Sequence, residues 1–169
     1  NQLAAAGEDG KIVIYDATSG EEKKVLRGHG SAVQALSWSP DGEQLCSASN
    51  DSTVKIWDAT SSSGFQEFSG CTFASWSPDG RRFACKSTYE SNLDPADETD
   101  AAETAIEIYD VFSNAHILSI QRNDRSVLLW LEWSPNGETL VGATLSGIKM
   151  WDTSSGKKVA NYDDGRTWC

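Results

Sequence analysis

Residues 28–58 read GHGSAVQALSWSPDGEQLCSASNDSTVKIWD, and this stretch decides the fold. Its centre, Ser39-Pro40-Asp41-Gly42, favours a tight turn because Pro fixes φ at the second position, while Asp and Gly suit the two positions after it. Alternation of apolar and polar residues on both sides of the turn is typical of half-buried strands. The pattern therefore predicts four strands joined by short turns, at residues 33–39, 44–49, 53–58 and 65–69.

The same features recur along the chain. A short strand that ends in an aromatic residue and Asp occurs four times, at Tyr15-Asp16, Trp57-Asp58, Tyr109-Asp110 and Trp151-Asp152. A Trp-Ser-Pro-Asp/Asn-Gly turn occurs three times, at residues 38–42, 76–80 and 133–137. From the Pro of each turn to the next aromatic-Asp pair the distance is 17, 31 and 16 positions, so the middle copy contains an insertion of about 14 residues. Four short strands in each repeat of about 42 residues form the pattern of one β-propeller blade.

Composition and charge exclude several classes of function. The chain has 169 residues, with 14 Lys and Arg against 25 Asp and Glu, and its formal net charge is -11. Such a surface repels the phosphate backbone of nucleic acids and anionic membranes, so we expect neither as the main partner. No apolar run approaches the about 20 residues that a membrane-spanning helix requires. We therefore expect no membrane span.

The four cysteines, at positions 46, 71, 85 and 169, predict reduced thiols rather than a disulfide framework. They have no CxxC spacing, and the chain has only two His residues to assist them in binding a metal. Cys46 and Cys85 lie in apolar stretches that suit a small buried thiol. We expect no metal, no cofactor and a reducing intracellular location, either cytoplasmic or nuclear.

With its Gly28-His29 pair, its three Pro-containing turns and its four aromatic-Asp pairs, the sequence resembles the WD40-repeat family over nearly all of its length. The resemblance implies an all-β fold, a segment of a WD40-type β-propeller with about four consecutive four-stranded antiparallel blades. It implies a partial ring from a longer chain, with a first blade that lacks its innermost strand. The implied blades span residues 1–27, 28–69, 70–123 and 124–164, with an acidic insertion at about 89–104 and the start of a further strand at 165–169.

In this family a Trp, a Ser or Thr, a His and an Asp form successive hydrogen bonds that brace each blade. By the resemblance, the second blade supplies a complete set, namely His29, Ser47 or Ser49, Asp51 and Trp57. The other blades match the pattern only in part. An Asp, a His and a Ser could also form a nucleophilic triad, but no Gly-x-Ser-x-Gly elbow accompanies them. We therefore predict a structural brace, with no catalytic residue and no enzyme activity.

Two groups of residues are predicted to contact a partner. When the first strands are aligned on their Trp residues, Phe73 and Trp130 take equivalent positions, where they could bind a peptide side chain or pack between blades. The insertion adds Tyr89 and a run of acidic residues, Asp94, Asp97, Glu98, Asp100 and Glu103. This run fits a solvated loop, a cation site or a contact for a basic partner. By the resemblance, the insertion lies on the face where propellers most often bind peptides.

The function predicted from these features is a non-catalytic scaffold that binds other proteins or peptides and is a fragment of a larger protein. One alternative is a sensing or accessory propeller in a multidomain signalling or enzymatic protein. Another is a half-propeller that assembles with a second copy into a closed ring. The missing blades of the ring are expected from a second copy or from the remainder of the propeller.

Overall fold

The computed structural model describes residues 1–61, 64–87, 105–121 and 127–162. Within these ranges the chain forms fifteen β-strands and no helix, which confirms the all-β prediction. The strands form four sheets, and in each sheet the order of the strands follows the order of the chain. Neighbouring strands in these sheets run antiparallel, so a short turn is enough to connect one strand to the next and no crossover is needed.

The first two sheets correspond to the first two repeats. Sheet 1 has three strands, as predicted: β1 (Gln2–Ala6), β2 (Ile12–Asp16) and β3 (Glu22–Leu26). Sheet 2 has four: β4 (Val33–Trp38), β5 (Gln44–Ser49), β6 (Thr53–Asp58) and β7 (Phe65–Ser69). The predicted strands of this repeat are confirmed, except that β4 ends one residue earlier, because Ser39 begins the turn.

The last two sheets have four strands each. Sheet 3 contains β8 (Cys71–Trp76), β9 (Arg82–Ser87), β10 (Ile106–Asp110) and β11 (His116–Ile120). Sheet 4 contains β12 (Leu128–Trp133), β13 (Thr139–Thr144), β14 (Gly147–Asp152) and β15 (Lys158–Tyr162). The predicted insertion connects β9 to β10 and lies outside the described residues, as does the further strand predicted at 165–169.

The Asp of each aromatic-Asp pair caps the turn that follows its strand. Asp58 Oδ1 accepts hydrogen bonds from the backbone N–H groups of Thr60 at 2.7 Å and Ser61 at 2.9 Å. Equivalent bonds are accepted by Asp16, Asp110 and Asp152. The hydroxyl of Ser155, together with neighbouring donors, lowers the pKa of Asp152 to about 2. The acidic residue of the repeat is therefore a local determinant of its turn.

Cross-strand pairing gives every sheet two chemically different faces. In sheet 2, Leu45 pairs with Trp57 and Ser47 pairs with Lys55, so these four residues share one face. The pairs at the position of Leu45 and Trp57 in sheets 1, 3 and 4 are Leu3 with Tyr15, Phe83 with Tyr109, and Leu140 with Trp151. We call this side the aromatic face. On the opposite side, the aliphatic face, the strand that ends in the aromatic-Asp pair presents Ile12 and Ile14, Val54 and Ile56, Ile106 and Ile108, or Ile148 and Met150.

The chain divides into two compact units, Asn1–Ala74 and Ser75–Cys169. In the first unit, the aromatic face of sheet 2 packs on the aliphatic face of sheet 1. Their shared core contains Ile12, Ile14, Leu26, Leu45 and Trp57, all of them buried. At the edge of this core the ammonium of Lys24 donates a hydrogen bond of 2.8 Å to the carbonyl oxygen of Asp58, which joins the outer part of sheet 1 to sheet 2.

In the second unit, the aromatic face of sheet 4 packs on the aliphatic face of sheet 3. Their shared core contains Ala84, Ile106, Ile108, Ile120, Leu128, Leu131, Trp133, Leu140 and Trp151. The indole N–H of Trp133 donates a hydrogen bond of 3.0 Å to the carbonyl oxygen of Ser75, and the guanidinium carbon of Arg82 lies 4.9 Å from the centre of the Trp133 ring. Each unit is therefore held by the same kind of sheet-to-sheet contact.

The cysteines differ in part from the prediction. Cys46 is a free, buried thiol, and burial raises its pKa. Cys71 and Cys85 are also buried, but both are disulfide-bonded, which corrects the prediction of reduced thiols. The error arose because bond formation depends on how close a sheet brings two Cβ atoms, and the spacing of cysteines in the sequence does not give that distance.

Two turn glycines provide a test of the contact between sheets 1 and 2. Gly10 and Gly42 both have φ of +74°, but an added Cβ at Gly10 would lie 2.7 Å from the carbonyl oxygen of His29, whereas nothing lies within 4 Å at Gly42. The left-handed backbone alone costs about 1–2 kcal/mol for Ala. We predict that Gly10→Ala lowers the free energy of unfolding by at least about 1 kcal/mol more than Gly42→Ala, measured by urea denaturation. Equal losses would show that the turn of sheet 1 has room to move away from His29.

Candidate functional site

Sheet 2 contains a continuous chain of hydrogen bonds through three of its elements. The indole N–H of Trp57 on β6 donates to Ser47 Oγ on β5 at 2.7 Å. Ser47 Oγ lies 2.7 Å from His29 Nε2, and His29 Nδ1 lies 2.9 Å from Asp51 Oδ2. The structure thus brings together His29, Ser47, Asp51 and Trp57, four of the five residues singled out from the sequence. We call this set the network.

The network fixes the protonation state of His29. Burial lowers the pKa of this imidazole, and its hydrogen bond to the Asp51 carboxylate offsets only part of that effect. Burial raises the pKa of Asp51, but hydrogen bonds from the Thr53 hydroxyl, the Gly30 backbone N–H and His29 outweigh burial and leave this pKa well below its usual value. A neutral His29 therefore donates from Nδ1 to an ionised Asp51 and accepts the Ser47 hydroxyl proton at Nε2.

The fifth predicted residue, Ser49, has a different role. Its hydroxyl donates to the carbonyl oxygen of Ser31 at 3.0 Å and accepts the backbone N–H of Asp51 at 3.1 Å. Ser49 therefore fastens the turn after β5 to the segment before β4, and it does not link His29 to Trp57. The sequence left Ser47 and Ser49 as alternatives, and the structure assigns the link to Ser47.

Asp51, His29 and Ser47 are hydrogen-bonded in the same order as the residues of a nucleophilic triad. The burial of the serine distinguishes a structural brace from such a triad. A nucleophilic Ser needs a path for the substrate to its oxygen and an oxyanion hole beside it. Ser47 has no exposed surface, and its oxygen already accepts the indole proton of Trp57. No substrate carbonyl can reach this hydroxyl in the folded sheet, so the geometry supports bracing and not acyl transfer.

Sequence reasoning missed a buried cation beside the network. Lys55 on β6 is 2% exposed, its ammonium is bonded to the carboxylate of Glu67, and it lies 3.9 Å from the centre of the Phe65 ring. The Phe65 ring also packs against the Trp57 ring, with 4.7 Å between the ring centres. An added Cβ at Gly28 would lie 2.6 Å from Phe65, which explains why Gly precedes His29. The sequence contained one signal for this ion pair, because Lys55 and Glu67 have opposite charges and pair across adjacent strands.

The register of the sheets shows why the other repeats lack the complete network. The Ser47 position is two residues beyond the one that pairs with the aromatic residue. At this position the other sheets have Ala5, Cys85 and Gly142, none of which carries a hydroxyl. An added Cβ at Gly142 would lie 2.8 Å from both Leu128 and Trp151, so neighbouring side chains fill the space that a serine would need.

Two of the residues predicted to contact a partner lie in the described ranges. Phe73 on β8 is exposed and has φ of +54°, a conformation that is strained for a bulky residue. Trp130 on β12 is 62% exposed. The two residues belong to different units. The remaining residues of this prediction lie outside the described residues: Tyr89, Asp94, Asp97, Glu98, Asp100 and Glu103.

One end of sheet 4 exposes three aliphatic side chains that sequence reasoning did not identify. Val127, Leu129 and Leu145 are each about half exposed, and the backbone N–H of Leu145 donates to the carbonyl oxygen of Val127 at 3.2 Å. Leu129 lies at a β-bulge between Leu128 and Trp130, which directs its side chain away from the core. We call these three residues the end patch.

Neither a metal site nor a membrane helix is found in these parts of the chain. Among the described residues, no group of three or more His, Cys, Asp or Glu side chains is arranged to hold a metal ion. The same ranges contain no helix with the length and apolar character needed to span a bilayer.

Sequential antiparallel sheets, capped aromatic-Asp pairs and the network are together consistent with blades of a WD40-type β-propeller. The family model described as WD domain, G-beta repeat, matches residues 20–58, which contain most of sheet 2 and the network. The resemblance to WD40 repeats that the sequence predicted is confirmed for these residues.

Known relatives align with stretches that range from 34% to 92% of the chain. WD repeat-containing protein 1 of Gallus gallus is 46% identical over 71 residues, which cover 40% of this chain and 12% of that protein. Transcriptional corepressor LEUNIG_HOMOLOG of Arabidopsis thaliana is 26% identical over 157 residues, 92% of this chain and 18% of that protein. Serine-threonine kinase receptor-associated protein of Gallus gallus is 41% identical over 58 residues, 34% of this chain and 17% of that protein. The chain thus matches less than a fifth of the length of each of these relatives.

The first prediction for the network concerns Ser47. Ser47→Ala leaves the buried indole N–H of Trp57 and Nε2 of His29 without their partner, and an unsatisfied buried polar group costs about 1–3 kcal/mol. We predict a loss of about 2–3 kcal/mol in the free energy of unfolding, measured by urea denaturation. Ser69→Ala, at an exposed position of the same sheet, is the control and should change stability by less than about 0.5 kcal/mol. Similar losses in the two variants would contradict the role of the network.

The second prediction concerns pH. The folded-state pKa of His29 lies below the ordinary value of about 6.5, so the unfolded chain binds a proton more readily as the pH falls through this range. Its contribution to stability is therefore present above about pH 6.5 and is lost as the pH falls toward the folded-state pKa. We predict that the wild-type chain is less stable at pH 5.5 than at pH 7.5 by urea denaturation.

The control for the pH prediction is His29→Gln, which removes the titrating ring while His116 and all carboxylates stay in place. We expect this variant to be less stable at both pH values, with a smaller difference between them. A difference as large as that of the wild type would mean that another group causes the pH dependence.

Proposed function

We propose that this chain is a non-catalytic scaffold that binds other proteins or peptides. The observation that carries the proposal is the end patch, a group of exposed aliphatic side chains held by strands and a tight turn of sheet 4. Contiguous exposed apolar groups on a rigid framework are typical of protein interaction sites. One relative is itself named a receptor-associated protein, which fits a binding role.

One residue of the end patch, Leu145, lies in the turn that takes the same place in its repeat as the acidic insertion takes in the preceding one. The turn that contains Leu145 connects the second and third strands of sheet 4, and residues 88–104 connect the second and third strands of sheet 3. We propose that both turns contribute to partner binding. Phe73 and Trp130 are included in this proposal as exposed aromatic contacts, and Tyr89 and the acidic residues of the insertion are included on the strength of the sequence alone.

The charge of the chain suggests the character of the partner. With a net charge of -11, the chain attracts basic segments and repels acidic ones. A partner with a cationic surface and an aliphatic anchor would therefore match both the charge and the end patch. We propose that such a partner associates faster at low ionic strength, because screening shortens the range of the attraction.

A second candidate is an accessory propeller of a larger signalling or enzymatic protein. The short matches to much longer relatives favour it, since they leave most of each relative outside the region of similarity. In that case the binding role is unchanged and any chemistry belongs to other parts of the protein. An intracellular location, cytoplasmic or nuclear, is part of the proposal, although the disulfide-bonded Cys71 and Cys85 count against a strongly reducing compartment.

The proposal is tested with a displayed library of random twelve-residue peptides selected against the chain. We predict that enriched peptides combine Lys or Arg with aliphatic residues and that Leu145→Glu weakens the best of them at least about tenfold, which corresponds to loss of one buried aliphatic anchor. Fluorescence anisotropy of the labelled peptide gives the dissociation constant.

The matched control for this experiment is Phe112→Glu, which makes a similar change at an exposed turn of sheet 3. It should leave the affinity for the peptide within about twofold of the wild type, since it lies outside the end patch. The proposed surface would be wrong if no peptide were enriched, or if both variants weakened binding equally.

A further inference from the structure

Phe73 is held in a backbone conformation that is costly for its side chain. Its φ is +54°, in the left-handed region that a bulky residue rarely adopts. Among the described residues, a positive φ is otherwise found at eight glycines, at Asn114 and at Ser52. Gly lacks the Cβ that causes the steric conflict, and Asn tolerates this conformation well. Phe73 is therefore the one bulky residue with a positive φ in the described ranges.

The strand itself does not require this conformation. β8 takes the same place in sheet 3 as β4 in sheet 2 and β12 in sheet 4. When the three strands are aligned on the Trp at their ends, Ala35 and Trp130 correspond to Phe73. Both lie at a β-bulge, and neither of them has a positive φ. Two sheets thus form this part of the first strand without a left-handed residue.

Packing of the ring does not explain the strain either. Phe73 is 37% exposed and lies in neither of the two cores described above. It belongs to sheet 3, which has another sheet before it and another after it along the chain. Residues in strained conformations cluster at ligand contacts, where the strain is part of the function. The backbone at Phe73 therefore points to a role in binding.

Two other aromatic rings of this chain show which chemistry such a ring binds. The ammonium of Lys55 lies 3.9 Å from the centre of the Phe65 ring, and the guanidinium carbon of Arg82 lies 4.9 Å from the centre of the Trp133 ring. In both contacts the negative face of the ring attracts the cation. The chain has 25 acidic and only 14 basic residues, so it also attracts cations from a partner.

We propose that Phe73 is a specificity-determining contact, whose ring receives a Lys or Arg side chain of the bound peptide. A residue with positive φ directs its Cβ differently from one with negative φ, so relaxation of the backbone would move the ring away from the cation. The strain is retained because it sets the direction of the ring. This inference rests on the proposed scaffold function and names the residue that selects basic peptides.

The strain can be measured in variants that lack the ring. Phe73→Ala and Phe73→Gly both remove it and differ from each other only by the Cβ. We predict a higher midpoint of urea denaturation for Phe73→Gly than for Phe73→Ala, because only Gly is relaxed at a φ of +54°. The control is Ala35→Gly, which should have a lower midpoint than the wild type, since Ala is favoured where φ is negative.

The contact with the cation is tested with a peptide selected from the displayed library. Fluorescence anisotropy measures its Kd for Phe73→Leu, which keeps the apolar bulk, and for Phe73→Tyr, which keeps an aromatic ring. We predict that Phe73→Leu raises the Kd about twofold to fivefold, as expected for a cation on an exposed ring, and that Phe73→Tyr stays within about twofold of the wild type. Phe112→Leu makes the same change at another exposed Phe of sheet 3 and should leave the Kd within about twofold.

A double-mutant cycle identifies the cation itself. Each Arg of the peptide is replaced in turn by citrulline and each Lys by norleucine, which removes the charge and keeps most of the side chain. At one position the loss of affinity seen with the wild type should be smaller for Phe73→Leu by the same twofold to fivefold factor. Circular dichroism checks that each variant is folded.

The outcomes separate this inference from the scaffold proposal. If no peptide is selected, both are wrong. If Leu145→Glu weakens the peptide but Phe73→Leu does not, or if every neutral peptide loses as much affinity with Phe73→Leu as with the wild type, the scaffold function stands and this inference is wrong. Equal urea midpoints for Phe73→Ala and Phe73→Gly would also overturn it, because Phe73 would then carry no strain.

Discussion

The contact on which this structure depends is that of an aromatic face lying on the aliphatic face of the preceding sheet. Three or four strands of five or six residues each cannot bury both faces by themselves. In both units the solution is the same, with a leucine and a Trp pressed onto isoleucines of the neighbouring sheet. Turns, caps and polar networks then position these faces, and their contribution depends on the apolar contact being in place.

The network in sheet 2 shows how a polar cluster can be buried without a catalytic role. Every link joins a donor to an acceptor, from the indole of Trp57 through Ser47 and His29 to the Asp51 carboxylate. A satisfied network of this kind specifies one arrangement of the strands it joins, because any other arrangement leaves buried groups unpaired. In other proteins Asp, His and Ser form a nucleophilic triad. In this chain the same three residue types determine the geometry of a sheet, and burial of the serine makes the difference.

Most of the fold could be predicted from the sequence because its determinants are local. The Pro-containing turns, the alternation of β6 and the Asp caps all act within a few residues. Features that depend on register could not be predicted in the same way. The choice of Ser47 over Ser49, the burial of Lys55 and the oxidation of Cys71 and Cys85 depend on which strands are neighbours and which way each side chain points. The end patch was missed because a bulge, and not the alternation, exposes Leu129.

Gly142 has a consequence for how this repeat can change over evolutionary time. The position corresponds to Ser47, yet an added Cβ would meet Leu128 and Trp151 at 2.8 Å. A mutation to serine would therefore be harmful as long as Leu128 and Trp151 keep their positions, even though the same residue stabilises sheet 2. Sheet 4 can gain the hydroxyl only after the side chains of both Leu128 and Trp151 have made room, so the order of the substitutions is constrained. Duplicated repeats of this kind diverge along separate paths once their cores have adapted to different residues.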